Sequence, residues 1–170
     1  MDEHVSGGEL HLKLEFLQRT GSFKARGAVN NILTRDGVER EKGVTAVSAG
    51  NHAIAVAYAA NVLGVSAKVV MHRDANPARV AKCHAFGAEV VLVDDMTQAF
   101  PAMEEIAATE NRSVIHPFDG QATMQGTGTV GLEIAESITD LDAVVVAVGG
   151  GGLIAGVGAA LKALQPSLTV

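Results

Sequence analysis

Residues 44–71, VTAVSAGNHAIAVAYAANVLGVSAKVVM, hold one full turn of an alternating pattern. Val44-Thr45-Ala46-Val47-Ser48 is an apolar run of strand length, and Ser48-Ala49-Gly50 turns the chain. Asn51 is a good helix-capping residue, the stretch to Leu63 reads as a helix, and Gly64 stops it before the strand Ser66–Met71. Two strands joined through a helix are parallel, because a tight turn joins only antiparallel neighbours. Toward the C-terminus the reading continues with helix Pro77–Phe86, closed by Gly87, strand Glu89–Val93, helix Thr97–Ala108 and strand Ser113–Ile115. A Gly-Thr segment, helix Gly128–Ser137, strand Ala143–Val148 and helix Leu153–Leu164 follow. Toward the N-terminus, helix Phe23–Leu33, closed by Asp36-Gly37, is preceded by the turn Gln18–Ser22 and a loose strand, Leu10–Glu15. The fold class predicted is α/β, with parallel sheets and flanking helices. Lobe boundaries are expected near Gly43 and Asp119, with 43–118 a small lobe and 1–42 plus 119–170 a partial large one.

Composition narrows the function classes. Of 170 residues, 48% are hydrophobic and 19% charged, which is a globular and not a disordered balance. The formal charge of -6 and the lack of any Lys/Arg run argue against a nucleic-acid partner. A single cysteine, Cys83, leaves no internal disulfide, and the six histidines lack metal-ligand spacing, so no metal site is expected. Ala143–Leu161 carries no charge, but four glycines in its middle disfavour a membrane-spanning helix. The first residues do not read as a signal peptide, and a cytoplasmic location is expected.

Ligands of parallel α/β sheets gather at the carboxyl ends of strands. Three loops stand at or near such ends: Thr20-Gly21-Ser22, Ser48-Ala49-Gly50-Asn51 and Gly149-Gly150-Gly151-Gly152. Lys24 opens a helix, where the dipole favours acids, and Arg26 is near it; both would lower its pKa toward the neutral amine that a Schiff base or general base requires. A solvated surface lysine is the alternative. The four glycines would let amides close on a phosphate at the start of the last helix, or would simply make a tight turn. They also satisfy the degenerate dinucleotide fingerprint, but no Asp or Glu follows between Leu153 and Val170, where a nicotinamide site expects one. Asn51 and His52 sit where a carboxylate would be welcome, or where an ordinary cap would serve. Cys83 reads as a buried thiol, and Asp94-Asp95 as acids at a helix start.

Taken together, Gly21-Ser22-Phe23-Lys24-Ala25-Arg26-Gly27-Ala28, Ser48-Ala49-Gly50-Asn51-His52 and Val148-Gly149-Gly150-Gly151-Gly152-Leu153 closely resemble three signatures of one family. It is the threonine/serine dehydratase and serine racemase family of pyridoxal-phosphate (PLP) enzymes, fold type II. Gly87-Ala88-Glu89-Val90-Val91, His116-Pro117-Phe118-Asp119 and Gly131-Leu132-Glu133-Ile134 also resemble it, so the likeness runs along nearly the whole chain. The resemblance implies that Lys24 is the Schiff-base lysine, that Phe23 lies near the cofactor ring, and that Asn51 bonds the cofactor 3'-hydroxyl. It further implies that Gly149, Gly150, Gly151, Gly152 and Leu153 cradle the phosphate, while Ser48, Ala49, Gly50, Asn51 and His52 hold the substrate carboxylate.

The implied activity is an L-threonine/L-serine ammonia-lyase that gives a 2-oxo acid and ammonia. Alternatives are a serine racemase, another fold type II PLP enzyme, or a non-catalytic binding module. In racemase relatives a serine stands where this chain has Ala49, which favours elimination. Ile54-Ala55 departs from the Gln-Gly common in dehydratases and resembles the cysteine-synthase group at that point. Relative to the family the chain reads as truncated at both ends. The implied partner is a small 3-hydroxy amino acid, and a homo-oligomer is expected; by itself the 170-residue chain is expected to bind the cofactor weakly or not at all.

Overall fold

Four strands pair in parallel in the computed structural model, which describes residues 8–170: β1 (Val44–Val47), β2 (Ala67–His72), β3 (Glu89–Val93) and β4 (Ser113–Val114). Their order across the sheet is β3-β2-β1-β4, with Val44 opposite Ala67 on one side and Ser113 on the other. Among the described residues seven α-helices accompany them: α1 (Lys24–Leu33), α2 (Gly37–Lys42), α3 (Asn51–Val62), α4 (Pro77–Ala85), α5 (Ala99–Glu110), α6 (Gln121–Ser137) and α7 (Gly152–Leu164).

Side chains alternate across a strand, and the core divides accordingly. Val44, Ala46, Val69 and Met71 face one way, into a cluster with Ile32 of α1, Cys83 of α4 and the buried face of α3. Val47, Val70 and Val93 face the other way, onto Ala99 and Met103 of α5. Helix α3 buries eight of its residues, five of them alanine, because it is enclosed by the sheet, α1 and α4. A helix so enclosed is apolar on all sides, and alanine keeps it narrow.

Helices α1, α6 and α7 pack by a different device. A methyl on Gly126 of α6 would stand 2.7 Å from Gly27 Cα of α1, and one on Gly156 of α7 would stand 2.7 Å from Gly128 N of α6. Real carbons do not approach so closely, so main chain meets main chain at both crossings. Arg26 of α1 ties the same region to the N-terminal segment. Its guanidinium donates two hydrogen bonds to Glu15, both at 2.9 Å, and two to Glu133 of α6 at 2.7 and 2.8 Å. Such forked pairs are the stronger kind of ion pair.

The structure departs from the sequence reading at four places. Leu10–Glu15 is not a strand; Leu10, Leu12 and Leu14 are exposed, and Glu15–Leu17 is one 3-10 turn. Ala143–Val148 contributes only a bridge between Ala143 and Thr169, because no other strand lies beside it among the described residues. Asp36-Gly37 does not end structure but begins α2: Asp36 accepts the N–H of Glu39 at 2.8 Å, and Glu39 accepts that of Asp36. Helix α6 starts at Gln121, seven residues before the predicted Gly128, because its glycines are packing contacts and not breaks.

Candidate active site

Lys24 is the first residue of α1, and its N–H donates to the buried Ser22 hydroxyl at 3.4 Å. Its side chain is half-buried. The ammonium donates a hydrogen bond to the Pro117 carbonyl and stands 5.1 Å from the centre of the Phe23 ring. Burial lowers the Lys24 pKa, since taking a charge out of water favours the neutral amine. The direction matches the sequence reading and the cause differs. Arg26, expected to repel the ammonium, is already held between Glu15 and Glu133, and the same contacts hold the Glu133 carboxyl down to about 2.

The loop after β1 turns on Ser48, whose hydroxyl accepts the N–H of Gly50 at 3.1 Å. Arg79 of α4 reaches back to donate to the Ala49 carbonyl at 3.2 Å. Asn51 opens α3 with its side chain exposed, whereas His52 is 5% exposed. His52 Nε2 lies 2.8 Å from the Ile115 carbonyl. A carbonyl only accepts, so Nε2 carries the proton and Nδ1 the lone pair. Burial pushes the His52 pKa down to about 4; the Ile115 carbonyl opposes this, and the charges of Lys24 and His116 assist. At neutral pH the imidazole is uncharged.

The glycine loop leads into α7, with Gly151 at φ +87° and Gly152 as the first helical residue. Gly149 and Gly150 are exposed, and Thr127 of α6 donates its hydroxyl proton to the Gly152 carbonyl at 2.8 Å. Phe23, Lys24, His52, Gly152 and Leu153 share one cavity of about 10 Å³, room for about one water. Ser48, Ala49, Gly50, Asn51, Gly149, Gly150 and Gly151 do not line it. A larger groove of about 350 Å³ between α6 and α7 is lined by residues such as Met124, Leu132 and Ala159, and no titratable side chain lines it.

The sequence reading assigned no role to Pro117, Phe118, Thr123 and Thr127, which line the small cavity too. The cue was there in His116-Pro117-Phe118-Asp119, which directly follows a strand end. Cys83 is fully buried with its thiol pKa pushed up to about 11, an inert core position. Among the described residues no cluster of His, Cys, Asp and Glu could hold a metal ion, and no helix is long and apolar enough to cross a membrane.

Comparison with known proteins adds independent findings. A family model described as pyridoxal-phosphate dependent enzyme matches residues 2–170. Phenylserine dehydratase of Ralstonia pickettii is 52% identical over 168 residues, spanning 99% of this chain and 52% of that protein. L-threonine ammonia-lyase of Thermotoga maritima is 46% identical over 167 residues, 98% of this chain and 42% of that protein. Among solved structures, threonine deaminase isoform 2 from Solanum lycopersicum superposes with a TM-score of 0.88 at 38% identity, over 92% of this chain and 46% of its own. Maize serine racemase superposes with a TM-score of 0.87 at 37% identity, over 90% of this chain and 47% of its own. The chain spans about half the length of the curated relatives it matches.

Proposed function

The chain belongs to the pyridoxal-phosphate dependent enzyme family, and on that premise we propose that it carries the lysine-bearing part of an ammonia-lyase for 3-hydroxy amino acids such as L-threonine and L-serine. Its fold is the α/β arrangement of fold type II, and its relatives belong to the dehydratase and racemase branch. In this reading residues 43–118 are the small lobe, and 1–42 with 119–170 belong to the cofactor lobe. The observation that carries the reading is the meeting of Lys24, His52 and the start of α7 around one cavity.

The residues fit the cofactor chemically. Lys24 offers an amine whose proton affinity is reduced by burial. The loop before α7 offers main-chain amides at a helix's positive end, with glycine where φ is positive. Lys24 would hold the cofactor, Asn51 would bond its 3'-hydroxyl, and Gly149–Leu153 would hold its phosphate. When bound, the cofactor supplies an electron-withdrawing ring that stabilises negative charge on the carbon beside the amino group. Lys24 Nζ would take the proton from that carbon. The loop Ser48–His52 would hold the substrate carboxylate, shaped by the Ser48 turn and by Arg79 on the Ala49 carbonyl. His52, neutral and fixed by Ile115, adds no charge that would compete for that carboxylate.

Borohydride reduction at millimolar pyridoxal phosphate tests the reading: pyridoxyl mass is expected on the peptide containing Lys24, and Lys24→Ala should abolish it while the protein still folds. Adduct concentrated on another lysine would refute it. Racemisation is the second reading, because a serine racemase is among the structural neighbours. Ala49 favours elimination, since its methyl cannot exchange a proton as a serine hydroxyl can. With L-serine and the complete protein, ammonia release should far outrun D-serine formation; comparable rates would favour the racemase.

A further inference from the structure

The bend Ile115-His116-Pro117-Phe118-Asp119, between β4 and α6, has no part in the proposed chemistry, yet it touches three of the pieces assigned to the site. The Ile115 carbonyl accepts a hydrogen bond from His52 Nε2 at 2.8 Å, and the Pro117 carbonyl accepts one from Lys24 Nζ. Phe118 meets the glycine loop. A methyl on Gly150 would stand 2.7 Å from Phe118 Cδ2, and one on Gly152 would stand 2.9 Å from Phe118 Cα. Both are closer than carbon atoms approach. The bend is itself held: His116 Nδ1 accepts the N–H of Asp119 at 2.9 Å, and the His116 ring stands edge-on to Phe118 with centres 4.6 Å apart.

We propose that Phe118 is a positioning residue whose ring is the support on which the glycine loop rests, setting where the amides of Gly149–Leu153 stand relative to Lys24. The proposal rests on the reading of that loop as the phosphate holder. It also divides the four glycines by cause. Gly150 lacks a side chain because the Phe118 ring occupies the space, Gly152 because the main chain of residue 118 does, and Gly151 because its φ is +87°. Gly149 has nothing within 4 Å of an added methyl. A glycine-rich loop is otherwise loose, and ordering it on binding would cost affinity; a half-exposed ring set against Gly150 meets part of that cost during folding.

The test compares pyridoxal phosphate with 5'-deoxypyridoxal, which keeps the ring and aldehyde and lacks the phosphate. Affinity is read from the fraction of Lys24 trapped by borohydride as each compound is titrated. Phe118→Ala should weaken pyridoxal phosphate on the order of tenfold, about 1.4 kcal/mol, and leave 5'-deoxypyridoxal within about twofold. Phe118→Leu, which keeps the bulk, should fall between. Gly150→Ala should be as harmful as Phe118→Ala in the natural protein and add little in the Phe118→Ala background, where its methyl enters the space the ring has left.

Hydrogen exchange without any ligand gives a separate reading: the amides of 149–153 should exchange faster in Phe118→Ala while those of α3 do not. Equal weakening of both compounds, additive Gly150 and Phe118 effects, or unchanged loop exchange would overturn the proposal. Failure of the natural chain to take either compound would leave loop exchange to decide the role of Phe118, and the same failure in the complete protein would count against the cofactor reading.

Discussion

Strand β1 and the segment Ala143–Val148 have nearly the same composition, Val-Thr-Ala-Val in one and Ala-Val-Val-Val-Ala-Val in the other. β1 lies between β2 and β4 with all four residues buried. In 143–148 a single bridge forms, to Thr169, and Val145 is 98% exposed. Strand propensity is a capacity to pair and pack, and neighbours realise it. The helices around the two regions differ as well. Against the sheet, space is filled by side chains such as Ile32, Val69 and Met71, whereas α6 and α7 meet where side chains are missing.

Opposite substitutions should therefore do the damage in the two regions. Ile32→Ala removes a fully buried side chain from the sheet core and should cost roughly 2–5 kcal/mol of unfolding free energy, measured by urea titration. A loss under about 1 kcal/mol would mean that this core is as loosely held as segment 143–148.

Acid should act next, and through α3. The folded pKa of His52 is about 4 against an ordinary 6.5, so between those values the unfolded chain binds the extra proton. Stability from this group is complete above pH about 6.5 and is lost as pH falls toward 4, on the order of 3 kcal/mol at about 1.4 per pH unit. Urea midpoints from pH 7 to pH 4.5 should fall in the natural protein and flatten in His52→Asn. The Glu133 pairing, with its pKa near 2, adds its own loss only below the ordinary carboxylate value of 4.5. A slope unchanged in His52→Asn would show that the imidazole is not buried neutral.

The smallest effect belongs to the helix pair. Gly156→Ala adds one methyl where α7 meets Gly128 N of α6, and should cost about 1–3 kcal/mol by forcing the helices apart. In thermal denaturation, Gly158→Ala is the control, since its added methyl meets only Val170 at 3.8 Å. Equal midpoints for the two variants would contradict the close crossing.

Much of this was legible in the order of residues. The stretch from Val44 to Val93 was readable because each helix has a local stop, Gly64 or Gly87, and each strand is mostly apolar and pairs with at least one other. Strand β3 runs from Glu89 to Val93 as read. Helix α2 was hidden because Asp36-Gly37 resembles a turn; the acid three residues on, Glu39, was the available sign. The start of α6 was hidden because Gly126 and Gly128 look like breaks until α1 and α7 are seen against them. At the candidate site, Lys24, His52 and Leu153 were singled out from helix starts beside glycine loops, and all three line one cavity. Phe118 was not, since its partners Gly150 and Gly152 lie more than thirty residues away. The source of the lowered Lys24 pKa was not legible either, because burial depends on Pro117 and Phe23 closing over the chain.

Segment 143–148 has one more consequence, for proteases. Their clefts bind substrate as an extended strand, and exposed extended chain is where nicking concentrates. Val145 and Ala147 are small, apolar, exposed and paired with no strand among the described residues, which is what an elastase-like enzyme accepts. A cut there leaves α7 attached to the rest through its packing on α6 and no longer through the chain, so the two pieces should stay together until denaturant separates them.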